Sequence, residues 1–421
     1  MAFKRLRGTH DIYGDDALSF QQIESTAREV FKNFGLSELR TPILEEKELF
    51  TRALGTETDV VQKEMYDFED RSGTRVAMRP EGTAGVVRAY LENELDKSEG
   101  LCKFYYMGAM FRSERPQAGR LRQFHQIGAE VLGTDSAAND AEIIHALTAF
   151  LDTVGAGGYQ LKLNNLGTFE ERNSFREILK KYFLPFEASL CEDCKIRLNK
   201  NIFRLLDCKV GSCRAMVKNS PPITDYLTVE SKVHFDVVCS LLGKAGIAYT
   251  LDPYMVRGLD YYTKTVFEVT HPKLGAQDAL GAGGRYDKLV ESFGGPKIGA
   301  VGFAVGIERL VMCISSEKKE AQTYQNTFFV ATLGQEAQAA GFALLSSLRR
   351  AGLGALADLT AKSLKSQMRQ ADRHRCRFVI ILGENELKEN KFVLKDMQTG
   401  EQKEHPLDQL ISISNEIKQT A

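Results

Sequence analysis

The chain has 421 residues, of which 26% are charged and 43% hydrophobic, and its formal net charge is −1. This composition is typical of a globular protein with two or three domains, and any nucleic-acid surface must be a local patch because bulk charge does not favour one. No apolar run is long enough to span a bilayer and no signal-peptide pattern opens the chain, so we expect a cytoplasmic protein with no membrane partner.

Periodicity and turn residues predict the local structure of the first third of the chain. Pro42 lies in an extended segment, and because proline lacks the N–H that a central strand needs, we expect this segment at an edge or an interface. The predicted elements are a helix over 17–34 that ends at Gly35, the extended segment over 37–45, a helix and loop over 50–59, a hairpin over 64–79 and a helix from 83 to about 95.

The segment RPEGT, residues 79–83, places the carboxylate of Glu81 and the hydroxyl of Thr83 at the start of that last helix. A plain N-cap explains both side chains, because threonine caps helices well and acids favour the positive end of the helix dipole. Contact with a ligand is the alternative. It is favoured by Pro80 and Gly82, which bracket Glu81 more tightly than a cap requires.

The next two predicted strands, Lys103–Arg112 and Phe124–Leu132, are joined by a basic loop. Guanidinium groups on such a loop suit a polyphosphate because each can bind two oxygens at once, although a solvated surface hairpin would have the same composition. Gln126 and Glu130 lie on one face of the second strand, where a core face would be apolar, and this polar row favours a binding site. The arginines of the loop are Arg112, Arg115, Arg120 and Arg122.

An unusual segment over 185–226 contains two pairs of cysteines, Cys191-x2-Cys194 and Cys208-x4-Cys213, with thirteen residues between the pairs. Four thiolates at this spacing match a structural zinc site; four unliganded thiols in a reducing compartment are the alternative. In either case we expect a small inserted module. The elements predicted around it are a helix over 138–154, a strand over 159–164, a helix over 169–182 and a helix over 229–245.

Three later segments carry chemistry or close approaches. The sequence RGLDYY, residues 257–262, places a cation at a turn beside two tyrosines and precedes a strand over 265–269. The glycines of 281–284 allow a backbone or a ligand to approach closely, but their spacing does not fit a dinucleotide-binding loop. A strand from Gly299 then runs into a helix with Arg309 in its first turn. A cation there opposes the helix dipole, and anion binding would explain it.

Residues 315–326 are polar and predict a linker, and the alternation beyond it predicts a small α/β domain with a mainly parallel sheet. The predicted elements are a strand over 327–333, a helix over 336–350, an extended piece over 354–358, a helix over 364–371 and a strand over 377–382. Basic residues cluster on the second helix and after it, and both a solvated face and an RNA-binding patch fit them. They are Lys362, Lys365, Arg369, Arg373, His374, Arg375 and Arg377.

Together these segments resemble the motifs of the class II aminoacyl-tRNA synthetases, and in particular of the histidyl-tRNA synthetases, over nearly the whole chain. Ser37–Phe50 is similar to the first class motif, which builds the dimer interface, Phe111–Gly133 to the second and Ala300–Leu310 to the third. These class motifs are degenerate, whereas RGLDYY together with RPEGT is specific to the histidine enzymes.

The resemblance implies an α+β fold, with an antiparallel sheet flanked by helices in a catalytic domain over 1–325, a small insertion at about 184–228 and an α/β anticodon-binding domain over 326–421. It implies an aminoacyl-tRNA ligase that joins L-histidine to tRNA(His) through a histidyl-adenylate, releasing AMP and pyrophosphate. ATP with Mg²⁺ and a homodimer are implied as well. A structural Zn²⁺ is not a general property of the family.

The resemblance also assigns residues. It implies that Arg112 holds the α-phosphate, that Arg309 holds the far phosphates and that Arg257 supplies positive charge at the α-phosphate. The remaining assignments are Phe124 and Glu114 for adenine, Glu81, Thr83 and Gln126 for the α-ammonium, Glu130 and Tyr262 for the imidazole nitrogens with Tyr261 beside them, and Arg115, Gln117 and Arg120 for the acceptor end of the tRNA.

Two rival functions remain. A regulatory paralogue that senses histidine without aminoacylation typically lacks the anticodon domain and has lost catalytic residues, whereas Arg112, Arg257 and Arg309 are all present here. A related synthetase for another amino acid would not need the pair Glu130 and Tyr262. Because fold alone never settles function, both rivals are tested by activity.

Overall fold

In the computed structural model the chain divides into two units, Met1–Ser315 and Ser316–Ala421. The predicted boundary between 325 and 326, and the linker over 315–326, lie outside the residues that the structure describes. The described residues are 3–56, 58–117, 119–258, 261–314, 327–360 and 362–420.

The strands are labelled in chain order. They are β1 (Ser37–Glu38), β2 (Leu44–Glu46), β3 (Asp67–Glu69), β4 (Arg75–Met78), β5 (Cys102–Phe111), β6 (Gln123–Leu132), β7 (Gln160–Asn165), β8 (Thr250–Leu251), β9 (Thr263–Thr270), β10 (Ala279–Arg285), β11 (Ala300–Gly306), β12 (Thr327–Leu333), β13 (Gly354–Ala357), β14 (Phe378–Gly383), β15 (Lys391–Asp396) and β16 (Gln402–Pro406).

The α-helices are labelled in the same way. They are α1 (Asp15–Asn33), α2 (Lys47–Leu54), α3 (Thr83–Glu92), α4 (Leu95–Ser98), α5 (Ala137–Val154), α6 (Phe169–Phe183), α7 (Glu192–Lys200), α8 (Phe203–Leu206), α9 (Gly211–Val217), α10 (Val229–Lys244), α11 (Leu289–Ser292), α12 (Ile307–Cys313), α13 (Gln335–Arg350), α14 (Leu364–Arg373), α15 (Glu384–Lys388) and α16 (Leu410–Thr420).

Eight of the described strands of the first unit form one sheet, in the order β1-β5-β6-β11-β10-β9-β7-β8. Its inner neighbours are antiparallel, and the two-residue strands β1 and β8 pair in parallel at the two edges. The predicted antiparallel sheet is therefore confirmed. So is the edge position of the segment around Pro42, which separates β1 from β2.

The two faces of this sheet have different chemistry, as the alternation of β6 predicted. Ile127, Ala129 and Val131 are buried against α1 and α5, in a core that also contains Phe31 and Phe150. Each fully buried aliphatic or phenyl side chain contributes roughly 1.5–3 kcal/mol to that core. The other face of β6 carries polar side chains and faces a cleft.

A small sheet, β2-β4-β3, and helices α2 and α3 lie on the cleft side of the large sheet, with Phe50 and Tyr90 in their core. The predicted hairpin over 64–79 is confirmed, although its first strand starts only at Asp67. One local expectation was wrong: α2 begins at Lys47 rather than at 50. Its apolar face includes Leu49 as well as Phe50, so the packed part of the helix starts before the predicted position. Residues 60–64, for which no element was predicted except a strand start at Glu64, form a π-helical turn.

A buried ionic network joins helices α5 and α10 to strand β10. Asp140 accepts hydrogen bonds from Arg285 Nε at 3.0 Å, and its carboxylate lies 2.8 Å from His234 Nε2. Burial alone would favour the neutral acid, but His234 and Arg285 lower the pKa of Asp140. Arg285, at the end of β10, thus links this strand to the start of α5 and satisfies the buried Asp140 carboxylate.

The insertion consists of short helices, α7, α8 and α9, between 3-10 turns at Leu184–Ser189 and Ile223–Tyr226. Its core joins the end of α6, where Leu179 and Phe183 are buried, to the cysteine-bearing segment. These helices are each too short to be stable alone, so tertiary contacts must hold them.

In the C-terminal unit, five of the described strands form a second sheet, in the order β13-β12-β14-β15-β16. The three parallel strands predicted there are confirmed, but the expectation of a mainly parallel sheet was wrong. Strands β15 and β16, which were not predicted, add antiparallel pairings. They form a hairpin, and a hairpin connection is too short for the helical crossover that parallel pairing needs.

Candidate active site

A cleft of about 470 Å³ lies on the polar face of the large sheet. Strands β6, β10 and β11 form its floor. Its walls are the start of α3, the loop between β5 and β6, the segment after β8 that contains Arg257, and residues 204–209 of the insertion. The structure therefore gathers side chains that are far apart in the sequence around one cavity.

The start of α3 shows how the RPEGT segment is used. The Glu81 carboxylate accepts hydrogen bonds from the backbone N–H groups of Thr83 and Ala84, at 2.8 and 2.9 Å. Glu81 is thus the residue that caps the helix, whereas Thr83 does not cap it. Instead the Thr83 hydroxyl donates to Glu130 Oε1 at 2.6 Å. The predicted cap is therefore confirmed for Glu81 and not for Thr83, and contact of either residue with a ligand stays a prediction.

Glu130 lies at the closed end of the cleft and is 1% exposed. Its second carboxylate oxygen accepts a hydrogen bond from the Tyr286 hydroxyl at 2.5 Å. Burial raises the pKa of Glu130 to about 8, although the Thr83 and Tyr286 hydroxyls offset part of this effect. Burial also raises the pKa of Glu81. This end of the cleft is therefore both buried and strongly polar.

Tyrosines and glycines shape the same end. The rings of Tyr261 and Tyr262 are 4.6 Å apart, and both line the cleft. A Cβ at Gly302 would overlap the Glu130 carboxylate, so only glycine allows β11 to pass beneath that side chain. A Cβ at Gly82 would overlap the ring of Tyr106 in the same way, which explains the glycine after Glu81.

Gln126 shares the polar face of β6 with Glu130. Its Oε1 is buried, and it has no hydrogen-bond partner among the residues that the structure describes. Because an unpaired buried acceptor costs about 1–3 kcal/mol, this oxygen suits a donor supplied by a ligand.

At the other end of the cleft the side chains are cationic. Arg112 donates from Nε to the Pro80 carbonyl at 2.9 Å, and its guanidinium lies 5.4 Å from the centre of the Phe124 ring. Arg257 forms an ion pair with Glu268 of β9. Both arginines are thus held in place by neighbouring atoms while they line the cleft.

Arg309 of α12 joins two walls of the cleft. Its Nε donates to the Gly119 carbonyl at 2.9 Å, and its NH1 donates to the Ala279 carbonyl. Burial lowers the pKa of Arg309, and the nearby Arg120 and Arg112 lower it further. Several guanidinium groups therefore lie close together, which favours the binding of a multiply charged anion.

The loop between β5 and β6 divides its residues between the cleft and its outside. Arg120 lines the cleft and lies 3.2 Å from Glu114, which also lines it. Arg115 and Gln117 are exposed and do not line it. Gln117 instead borders a neighbouring groove, together with His10 and Gln123.

Several residues that line the cleft were not predicted. Tyr286 follows the glycines of 281–284, which predicted the close approach of a backbone or a ligand but no role for the tyrosine. Glu268 had no sequence signal other than its position in a predicted strand. The insertion, predicted only as a small module, contributes Arg204, Asp207 and Lys209. In RGLDYY, residues Leu259 and Asp260 lie outside the described residues.

The four cysteines of the insertion are brought together. Their sulfur atoms all lie within 4.8 Å of one another. The residues are Cys191, Cys194, Cys208 and Cys213.

The basic residues of the C-terminal unit are mostly solvated. Arg377 is half-buried and pairs with Asp396 at 3.4 Å, and Lys362 lies 4.0 Å from Asp358. The others in the group are exposed, which leaves both a solvated face and an RNA-binding patch open. These are Lys365, Arg369, Arg373, His374 and Arg375.

Comparison with known proteins gives one consistent result. A family model described as histidyl-tRNA synthetase matches residues 8–175 and 201–310, and one described as an anticodon binding domain matches residues 327–417. Cys191 and Cys194 lie in the unmatched stretch between the first two blocks.

Two relatives with curated names are histidine–tRNA ligases. The one from Thermosipho melanesiensis is 44% identical over 98% of this chain and 99% of its own length, and the one from Fervidobacterium nodosum is 45% identical over 96% of each. Among solved structures, apo histidyl-tRNA synthetase from S. aureus superposes with a TM-score of 0.81 at 34% identity, covering 98% of this chain and 99% of that one. None of the described helices is both long and apolar enough to cross a membrane.

Proposed function

The chain belongs to the histidyl-tRNA synthetase family, and from this premise we propose how its cleft carries out the reaction. Its activity is the attachment of histidine to tRNA, an aminoacyl-tRNA ligase reaction. In the first step the histidine carboxylate attacks the α-phosphorus of ATP, which forms the histidyl-adenylate and releases pyrophosphate. In the second step a ribose hydroxyl at the 3′ end of tRNA(His) attacks the acyl carbon, and AMP leaves.

The observation that carries this proposal is the closed end of the cleft, where the Glu130 carboxyl and the Tyr262 phenol line one buried cavity. These two groups suit the two nitrogens of an imidazole. An amino acid without those nitrogens would leave Glu130 without a ligand partner, and sites built on buried polar groups reject such analogues strongly. This is the basis that we propose for histidine selection.

The α-ammonium group would bind next to this pocket. The Glu81 carboxylate, the Thr83 hydroxyl and the unpaired Gln126 Oε1 line the same cavity and are all able to accept hydrogen bonds. An ammonium group placed there would satisfy the buried amide oxygen, and its charge would offset the desolvation of the carboxyls. The carboxylate of histidine would then point toward the arginine end.

We propose that Arg112 and Arg257 stabilise the α-phosphate and that Arg309 binds the far phosphates. Adenylate formation depends on positioning and charge neutralisation more than on a covalent catalyst. Arg112 and Arg309 are anchored through backbone carbonyls and Arg257 through Glu268, so their guanidinium groups are fixed before ATP arrives. Fixed donors cost little reorganisation during the reaction.

Phe124 would stack on the adenine ring and Glu114 would accept a hydrogen bond from its edge. The carboxylates of Glu268 and Glu308 also line the cleft, and oxygen donors of this kind fit Mg²⁺, which binds proteins through one or two carboxylates together with phosphate oxygens. When bound, Mg²⁺ would neutralise part of the phosphate charge.

The tRNA would contact both units. Arg115, Gln117 and Arg120 on the loop between β5 and β6 would contact the acceptor end, and the exposed basic residues of the C-terminal unit would contact the anticodon region. A homodimer formed through the segment around Pro42 and a cytoplasmic location complete the proposal. The regulatory alternative has no support in the comparisons, because the relatives with nearly full coverage are named as ligases.

The test is histidine-dependent exchange of labelled pyrophosphate into ATP, with the other amino acids as controls, followed by charging of tRNA(His). We expect exchange with histidine alone. Binding of histidine without exchange would instead identify a histidine sensor, and exchange with a different amino acid would refute the assignment of the pocket.

A further inference from the structure

Four cysteines of the insertion meet at one point, and the proposed reaction uses none of them. All are free thiols, and Cys194, Cys208 and Cys213 are buried while Cys191 is half-buried. They come from four places on the local fold: Cys191 precedes α7, Cys194 lies within it, Cys208 follows α8 and Cys213 lies in α9. Their convergence is therefore a tertiary feature of the whole insertion.

The spacing of the sulfurs fits a tetrahedral metal site. Cys191 Sγ and Cys208 Sγ are 3.8 Å apart. A Zn–S bond of about 2.3 Å gives a sulfur–sulfur edge of about 3.8 Å in a tetrahedron, whereas a disulfide would bring the sulfurs to about 2 Å.

A backbone donor also points at one of the sulfurs. The N–H of Cys191 donates to Cys213 Sγ at 3.3 Å. Hydrogen bonds of this kind orient the ligand side chains around a metal.

A metal cross-link would add to the packing that holds the local fold together. Helices α7, α8 and α9 have nine, four and seven residues, lengths at which an isolated helix is not stable. A closed four-cysteine metal site contributes its binding free energy directly to folding, as it does in small metal-bound modules.

We propose that Cys191, Cys194, Cys208 and Cys213 bind one Zn²⁺ ion, and that this ion fixes residues 204–209 as a wall of the catalytic cleft. Cys208 lies between Asp207 and Lys209, and both of these residues line the cleft. The set of four protein ligands is closed, so the ion has a structural function and takes no part in the chemistry.

A contact outside the cysteine cluster supports the second half of the proposal. Arg204 NH2 pairs with Asp59 Oδ2 at 2.7 Å, which joins the insertion to the segment after α2. The segment 204–209 is thus held at one end by this ion pair and near its other end by Cys208.

Metal content tests the site directly. We expect wild-type protein, purified without metal-affinity chromatography, to contain about one zinc per chain by elemental analysis, and the C191S/C208S variant to contain less than about a tenth of that. Cys239→Ser is the matched control, since Cys239 is half-buried and outside the cluster, and it should keep its zinc. Folded wild type without stoichiometric zinc, or with iron in its place, would overturn the proposal.

A second measurement uses wild-type protein alone, because the double variant could fail to fold. Titration with an organomercurial should release the zinc as four thiols react, and replacement by Co²⁺ should give the visible absorption of a tetrahedral thiolate site. Reaction of all eight thiols of the chain without release of zinc would contradict the ligand set.

Tryptic cleavage tests the link to the cleft, since Arg204 and Lys209 are themselves cleavage sites. Removal of the zinc by a chelator should speed cleavage there about tenfold, as expected when a local opening becomes easier. Cleavage at Arg373 and Arg375 of the C-terminal unit is the internal control and should not change. Zinc removal that leaves cleavage at Arg204 and Lys209 unchanged would show that the ion does not fix this wall. Neither the zinc content nor the cleavage rate depends on ligase activity. A failure of the zinc proposal can therefore be distinguished from a failure of the proposed function.

Discussion

The two ends of the cleft compensate their polar and charged groups in opposite ways. At the closed end Glu81 and Glu130 are buried and are satisfied by backbone N–H groups and by hydroxyls. At the open end the arginines are anchored by backbone carbonyls and by one carboxylate. At the closed end, burial of the two carboxyl groups costs desolvation free energy. At the open end, several guanidinium groups concentrate positive charge.

Under the proposed function, this difference would let one cleft select a neutral ring and also bind a polyphosphate. A buried carboxyl with a raised pKa is sensitive to whether its partner is present, so Glu130 would give specificity. Arginines remain charged at any physiological pH, so those of the cleft would give affinity and would stabilise the charge that develops at phosphorus. Four predictions test whether the two ends are as separate as the geometry indicates.

The largest effect should come from Arg257→Ala, which we expect to lower the rate of pyrophosphate exchange by about a thousandfold, because it removes fixed positive charge near the α-phosphate. The KM for histidine should change little. Arg350→Ala, an exposed arginine on α13, is the matched control. Normal exchange by the Arg257 variant would remove this residue from the mechanism.

Glu130→Gln should act at the other end. We expect it to raise the KM for histidine by about 10- to 100-fold, since the amide replaces one acceptor oxygen by a donor and leaves a buried polar group unpaired, at a cost of about 1–3 kcal/mol. The KM for ATP should stay within about twofold if the two ends are independent. The exposed Glu94→Gln variant is the control. An equal rise in the KM for histidine and the KM for ATP would contradict the independence of the two ends of the cleft.

The raised pKa of Glu130 should appear in stability. Its folded-state pKa of about 8 exceeds the ordinary value of 4.5. Below pH 4.5 both states hold the proton. Above it the unfolded state releases the proton first, so the free energy of unfolding should fall by up to about 1.4 kcal/mol per pH unit until about pH 8, where the fall ends. Urea unfolding of ligand-free protein measures this as the difference between wild type and Glu130→Gln. If the free energies of unfolding of the two proteins changed in parallel between pH 4.5 and pH 8, the raised pKa of Glu130 would be refuted.

The smallest effect should come from Phe124→Leu. Loss of aromatic stacking on adenine should cost about 0.5–1.5 kcal/mol, and so raise the KM for ATP by about 2- to 12-fold with no change in the KM for histidine. Steady-state kinetics with each substrate varied in turn provide the measurement. A change in the KM for histidine alone would place the Phe124 ring at the closed end of the cleft and contradict its assignment to adenine.

The sequence by itself predicted the two faces of β6 and the edge position of the segment around Pro42. The period-2 alternation of β6 predicted which face would be apolar, because side chains of a strand point to opposite sides by geometry. Pro42 predicted an edge, since it lacks a donor for a second neighbour. The family resemblance then supplied assignments for Arg112, Arg257 and Glu130, and the structure brings these three into one cleft.

Only the tertiary structure decided which partner each side chain has. The hydrogen bond from Thr83 to Glu130, which replaces a cap by Thr83, depends on how β6 approaches α3, a contact between residues 47 positions apart. Tyr286 and Glu268 became cleft residues through strand pairing in β9 and β10, which no local pattern encodes. The same holds for the insertion, whose short helices gave only weak local signals. Its cysteines converge, and its residues 204–209 line the cleft, through long-range packing that a local sequence pattern cannot specify.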